Sequence, residues 1–332
     1  MKRIGFIALT LAFSASSAAA QLATPLKQVS LRKWGIAPAN YSGISHIGGN
    51  SYAVVSDKEE RSGFYVFTID IDTVKGRVVA VERGALLGSS QTDGRGRDEE
   101  GVCFFPKANT VFISAEDDQR ILEYSMDGEP TGRELRVPEE FGPDKIFPNY
   151  GFESLAYDSA RARFYTATER PLKSDVADDS LKIRILEFND DLALCGRHLY
   201  RLEQPALKRQ AKFYAHGISE IAVLPDGRLV VMEREVSVPR NYLGAECRIR
   251  LFVVDPVEEV STYGGGFLSK TAIADFTTHL DAGHMNFANY EGMCLGPKLR
   301  NGRQTLILIS DSQAGMGNSL YRLKDYVKLI EL

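Results

Sequence analysis

Apolar and polar positions along this chain fall into short runs punctuated by turn residues, and one arrangement of them occurs five times. A small or acidic residue opens an apolar run, a tight turn follows, and a second apolar run closes on another acid. The copies read SGISHIGGNSYAVVSDKE from Ser42, EEGVCFFPKANTVFISAEDD from Glu99 and FESLAYDSARARFYTATER from Phe152. The fourth is SEIAVLPDGRLVVMERE from Ser219 and the fifth YEGMCLGPKLRNGRQTLILISDSQ from Tyr290. Short runs rich in Val, Ile, Tyr and Phe between Gly, Pro and Asn clusters read as strands. No amphipathic stretch of helical length separates them, which argues against βαβ units.

Aligned on their first acid or its equivalent, the copies sit at Ser42, Glu100, Glu153, Glu220 and Glu291, spaced 58, 53, 67 and 71 residues apart. Each interval holds four strand-like runs; in the third these are SLAY, RFYTATE, IRILEF and RHLYRL. Self-similar four-stranded units arranged around an axis make a β-propeller. The chain is therefore predicted to be all-β, a single-domain propeller of five counted four-stranded blades, with six as the alternative count. The N-terminal run Gln28–Trp34 has no partner in its own unit, and the last unit ends in 319–323 and 326–332. N- and C-terminal strands are expected to share one blade and close the ring.

With the strands of a blade named a to d from the axis outward, antiparallel order puts the start of a and the end of b at one end. The repeat acids Glu100, Glu153, Glu220 and Glu291 start strand a. Asp57, Glu116, Glu169, Glu233 and Asp311 finish strand b. Both sets are expected around the channel mouth on one face, beside the long b–c connections 170–181 and 235–246 and the recurring Asn40-Tyr41, Asn149-Tyr150 and Asn289-Tyr290 pairs. Like charges within about 4–6 Å raise one another's pKa unless a cation intervenes. Lys58, Arg170 and Arg234 each follow an acid in sequence and supply internal cations. The external candidate is Ca²⁺, which takes about 6–8 oxygen ligands; five scattered histidines do not suggest zinc. The other role open to the repeat glutamates is scaffolding, by bonding backbone amides of a neighbouring blade.

Residues 1–20 read as a signal peptide: Lys2 and Arg3, an apolar core over 4–13, and the Ala-x-Ala site Ala18-Ala19-Ala20. The folded domain is then 21–332, exported to the periplasm or secreted. The apolar run is too short to span a bilayer, and no membrane span is expected elsewhere. Net charge is −4, or −6 once Lys2 and Arg3 are removed, which argues against nucleic acid as a partner. Cys103, Cys195, Cys247 and Cys294 are too few for a disulfide framework, and Cys103 and Cys294 read as small core residues of inner strands.

Asp70-Ile71-Asp72-Thr73-Val74 has the form of an aspartyl-phosphate motif but lacks the parallel βαβ context that motif needs. There is no Gly-x-Ser-x-Gly elbow and no P-loop. Ser45 and His46 are adjacent on one strand and point to opposite faces, so they form no dyad.

Five stretches together resemble the "esterase-like activity of phytase" family. They are Ser42-Gly43-Ile44, Glu100-Gly101-Val102, Gly151-Phe152-Glu153-Ser154-Leu155, Gly217-Ile218-Ser219-Glu220-Ile221 and Asn289-Tyr290-Glu291-Gly292-Met293, the last continuing through 305–311. The resemblance covers nearly all of residues 21–332. It implies kinship with bacterial β-propeller phytases, which are six-bladed and use calcium to hydrolyse phytate, and esterase-like activity in some members.

The expectation that follows is a monomeric, calcium-dependent phosphoester hydrolase. Glu100, Glu153, Glu220 and Glu291 would be inner metal ligands, Glu100 and Glu291 being counted as catalytic. Asp57, Glu116, Glu169, Glu233 and Asp311 would bind further metal or orient water, and Arg170, Arg234 and Lys58 would clamp phosphate. The alternatives are a non-catalytic binding propeller of the cell envelope and a metal-dependent carboxylesterase or lactonase acting on a small acyl ester.

Overall fold

The computed structural model describes residues 22–88, 96–207, 211–257 and 266–332. The signal peptide expected over 1–20 lies outside the described residues. Five antiparallel sheets surround one axis, and in each the first strand of the unit lies innermost. Blade 1 is Tyr41–Gly48, Ser51–Ser56, Gly63–Asp72 and Arg77–Gly88. Blade 2 is Glu99–Phe105, Thr110–Ala115, Ile121–Ser125 and Pro130–Leu135. Blade 3 is Phe152–Asp158, Arg163–Thr168, Lys182–Asn189 and Leu194–Arg201. Blade 4 is Phe213–Val223, Leu229–Val238, Ala245–Val254 and Lys270–Leu280.

Blade 5 has Asn289–Leu295, Thr305–Asp311 and Tyr326–Glu331, and its outer strand comes from the N-terminus. Thr24–Pro25 and Val29–Ser30 both pair antiparallel with Tyr326–Glu331. The ring is thus closed by both ends of the chain. Two details differ from the sequence pattern. Residues 31–34 turn into a 3-10 helix ended by Gly35 in the left-handed region (φ 75°). Segment 319–323 pairs only through an isolated Gly317–Arg322 bridge, and belongs to the b–c connection.

The a–b hairpins turn on residues that tolerate positive φ: Gly49 (56°), Asn109 (53°) and Gly227 (84°). Apolar residues of facing sheets fill the wedges between blades, as where Phe105, Phe112 and Phe164 pack with centroids 4.9–5.8 Å apart. Cys103, Cys247 and Cys294 are buried free thiols, and Cys195 is exposed. Among the described residues no helix is long and apolar enough to cross a membrane.

Strand a of every blade carries a β-bulge at the same place. The register shifts fall between Tyr41 and Gly43, Glu99 and Val102, Phe152 and Ser154, Ile218 and Glu220, and Tyr290 and Gly292. An extra residue in one strand bends it and re-aims its side chain. Glycine follows the bulge in three blades because inner strands crowd there. A Cβ on Gly43 would lie 2.4 Å from the Glu100 carbonyl, one on Gly101 2.7 Å from that of Glu153, and one on Gly292 2.8 Å from that of Ser42.

Candidate functional site

The bulges define the channel mouth. Their register makes Ser42, Glu100, Glu153, Ser219 and Glu291 structurally equivalent. The ends of strand b are equally matched: Asp57 bonds back to Asn40, Glu116 to Asp98, and Glu169 to Gly151. Asp311 pairs with Asn289, and Arg234 with Gly217. The fourth repeat is therefore displaced by one residue from its sequence alignment. Ser219 stands where Glu220 was expected, and Arg234 where Glu233 was expected. A one-residue slip in a strand sends every side chain to the opposite face.

That slip takes Glu233 away from the mouth. Its carboxylate accepts from Tyr200 Oη (2.7 Å), the Glu203 amide (3.0 Å) and Lys270 Nζ (2.9 Å), in the wedge between blades 3 and 4. Glu220 turns into the ring itself. Its Oε1 accepts from the Leu155 and Ile221 amides, each at 3.0 Å. Burial pushes its carboxyl well above the usual range, against which the amides of Ile221, Leu155 and Met293 act. Glu220 thus ties blades 3, 4 and 5 together across the axis, the scaffold role.

Arg234 is the buried cation of the mouth, only 3% exposed. It donates to Glu169 at 2.6 Å, to Glu291, and to Asn289 Oδ1 at 3.2 Å. Asn289 in turn donates to Glu291 at 2.8 Å and to Asp311 at 3.4 Å. Asn149, by contrast, is exposed. Lys58 sits at the rim, paired with Asp57 and, at 3.4 Å, with Asp98. Arg170 stacks over Tyr150 (4.6 Å) and Phe147 (5.0 Å). The connection beside it spans residues 169–181, as expected, whereas that of blade 4 shrinks to 239–244 because strand b runs on to Val238.

Among the described residues Glu100, Glu116 and Glu153 make no ion pair. Carboxylate oxygens of Glu100, Glu116 and Glu153 lie within 4.8 Å of one another, and so do those of Asp57, Asp98 and Glu100. Glu100 and Glu153 are each only 6% exposed. Burial first, then Glu153, Glu116, Asp57 and Glu291, raise the Glu100 carboxyl well above its ordinary range. Burial, Glu169 and Glu116 do the same to Glu153, against the pull of Arg234. Burial lifts Glu116 to about 8 although the Gly151 amide bonds it. Burial also raises Asp311, with Glu291 and Asp57 adding to it. Asp98 was not among the residues picked out as ligands. It immediately precedes strand a of blade 2, and only the fold shows that it meets Asp57 and Glu100.

The donor set is all oxygen, with an Oδ1 of Asp57 buried and without a partner. Such a set suits a hard divalent cation rather than a soft one.

A family profile described as "Phytase-like: Esterase-like activity of phytase" matches residues 38–313. The chain belongs to this family. The match spans all five bulges, so the phytase-like profile and the ring of acids cover the same residues. A search of curated proteins finds no match. Among solved structures, the phytase-like chain is similar to the PQQ-bound aldose sugar dehydrogenase of Streptomyces coelicolor. That pair shares 14% identity over 93% of this chain and 98% of the other, at a TM-score of 0.45. An endo-arabinase of Bacteroides thetaiotaomicron shares 11% over 88% and 94%, at 0.47. The periplasmic gluconolactonase of Pseudomonas aeruginosa shares 14% over 88% and 73%, at 0.35.

Proposed function

We propose that this phytase-like propeller is an exported, calcium-dependent phosphoester hydrolase acting at its acidic mouth. The observation that carries this reading is the Glu100–Glu116–Glu153 cluster, whose carboxylate oxygens lie within 4.8 Å and make no ion pair among the described residues, while Arg234 is already shared by Glu169 and Glu291. Glu100 and Glu153 would hold the ion from below. Asp57 and Asp98 would extend the site on the other side of Glu100, and Glu291 and Asp311 would close it. When bound, the ion would supply the positive charge that draws phosphate to an acidic mouth and polarises its phosphoryl oxygen.

Glu116 is the residue placed to move a proton. The Gly151 amide holds one of its oxygens, leaving the other for a water proton. Its carboxyl, lifted to about 8 by burial, titrates near neutrality, where a general base works best. The family description supports an ester bond as the target. The same arrangement would polarise an acyl ester, and p-nitrophenyl phosphate against p-nitrophenyl acetate separates the two.

The first test is the melting temperature of the purified protein in excess EDTA and then in millimolar calcium, followed by a phosphate-release screen. A calcium-specific rise with ester turnover supports the hydrolase. A rise without turnover on any ester leaves a calcium-stabilised binding propeller. No rise at all, or Glu100→Gln and Glu291→Gln variants with unchanged calcium affinity and activity, sinks the assignment.

A further inference from the structure

Beside the carboxylate ring, between blades 3 and 4 and on the same face, lies a cavity of about 290 Å³. Pro171, Leu181, Leu202 and Ala215 give it apolar walls. Two of its polar side chains are committed elsewhere: Tyr214 donates to Glu235 at 2.8 Å, and His216 accepts from Arg250 at 3.4 Å. Arg170 is different. Its guanidinium face lies on Tyr150 and Phe147, and its backbone carbonyl is held by Thr168 Oγ1 at 2.6 Å. Stacking occupies the face and leaves the N–H edge. Among the described residues no carboxylate, carbonyl or hydroxyl accepts from that edge. Arg234 and Lys58, the other two cations expected at the mouth, are already paired with acids, and Lys173, over the same Phe147 ring, donates to the Asp144 carbonyl at 3.0 Å.

A stacked guanidinium with a free edge is pre-organised to grip a carboxylate or phosphate by two parallel hydrogen bonds. The cavity also adjoins the ring. Tyr150 precedes Gly151, whose amide holds Glu116, and Arg170 follows Glu169. Cation-seeking and anion-seeking groups therefore stand side by side.

We propose that this cavity is a subsite for a second, non-reacting oxyanion. The ester taken at the ring then carries a carboxylate or phosphate on a compact, partly apolar body. The statement about the ester rests on the hydrolase reading; the oxyanion subsite itself does not.

Phenylphosphonate has the oxyanion and the apolar body but no ester bond to break. It is titrated calorimetrically into the purified protein in EDTA, and again in calcium. Saturable binding is expected in EDTA, weakened about tenfold or more by Arg170→Gln. Ser180→Trp, which fills the cavity from an exposed lining position, is expected to weaken it comparably, and guards against a folding defect in the first variant. No saturable binding in EDTA, or the wild-type affinity in both variants, overturns the subsite. Binding that requires calcium and ignores both variants places the oxyanion at the ring, which overturns the subsite and supports the hydrolase. Arg170-dependent binding by a protein inert to every ester supports the subsite and removes the hydrolase.

Discussion

Arg234 donates to Glu169 at 2.6 Å across the blade 3–blade 4 boundary, from the one position of the ring where the other blades carry an acid. It makes the mouth lopsided. One side is neutralised from within, and on the other Glu100 makes no ion pair among the described residues. Arg234→Met would strand Glu169 and Glu291 as buried, unpaired carboxylates. Removing one partner of a buried pair costs about 3–5 kcal/mol. Urea unfolding in EDTA is expected to show a loss of that size, and calcium is expected to recover part of it. A loss below about 1 kcal/mol would mean that the pair is relaxed by water or protonation.

Glu100 and Glu220 are both acids of inner strands, yet they predict opposite behaviour. Glu100→Gln removes a buried carboxyl that burial and its acidic neighbours push well above the ordinary range. In EDTA it should raise stability, by about 1–3 kcal/mol, only in solution alkaline enough to ionise that carboxyl, and it should weaken calcium about tenfold or more, since affinity follows ligand charge. Glu220→Ala strips the amides of Leu155 and Ile221 of their acceptor. It should cost about 1–3 kcal/mol and leave calcium affinity unchanged. Thermal melts with calorimetric calcium titration separate the two, and a loss of calcium binding in Glu220→Ala would contradict the scaffold role.

Burial raises Glu116 to about 8, Glu291 to about 7 and Asp57 to about 6. Unfolded carboxyls titrate near about 4, so over this window the folded state holds more protons. Stability without calcium must then fall as pH rises from about 5 to 8. Asp175, held low against burial by Arg184 and Lys182, acts the other way, but only in more acidic solution. A divalent cation is held by ionised carboxylates, so on the proposed reading the stabilising effect of calcium should grow across the same range. Melts in EDTA and calcium from pH 5 to 8.5 check both; an EDTA profile that climbs with pH would show the acids ionised and compensated.

Closure of the ring rests on a thin seam. Besides the two short strand pairings, Lys328 Nζ donates to Leu26 O at 2.6 Å and Tyr290 Oη to Gln28 Oε1 at 2.9 Å. Deleting residues 21–30 exposes the edge of Tyr326–Glu331, and should cost about 3–5 kcal/mol and promote association through that edge. Size-exclusion and melting of the truncated protein test it, and a monomer of unchanged stability would show that the seam is dispensable.

The five-fold recurrence of apolar runs and turn residues was enough to read a five-bladed propeller, because strand alternation and hairpin turns are local properties of a sequence. The same recurrence brought the acids of blades 1, 2, 3 and 5 to one face. It could not register blade 4, where SEIAVLPDGRLVVMERE offers two glutamates and an arginine in adjacent frames. Only the pairing of Ile218 with Glu233 and Glu220 with Met232 across the bulge at Ser219 decides the frame, and that pairing depends on packing against blades 3 and 5. The sequence by itself determined the fold and the acidic face. The tertiary structure decided which acids stand together, that Arg234 is an internal counter-ion and that no described residue accepts from the edge of Arg170. Distances between blades are set by how five sheets pack round an axis, not by any run of residues.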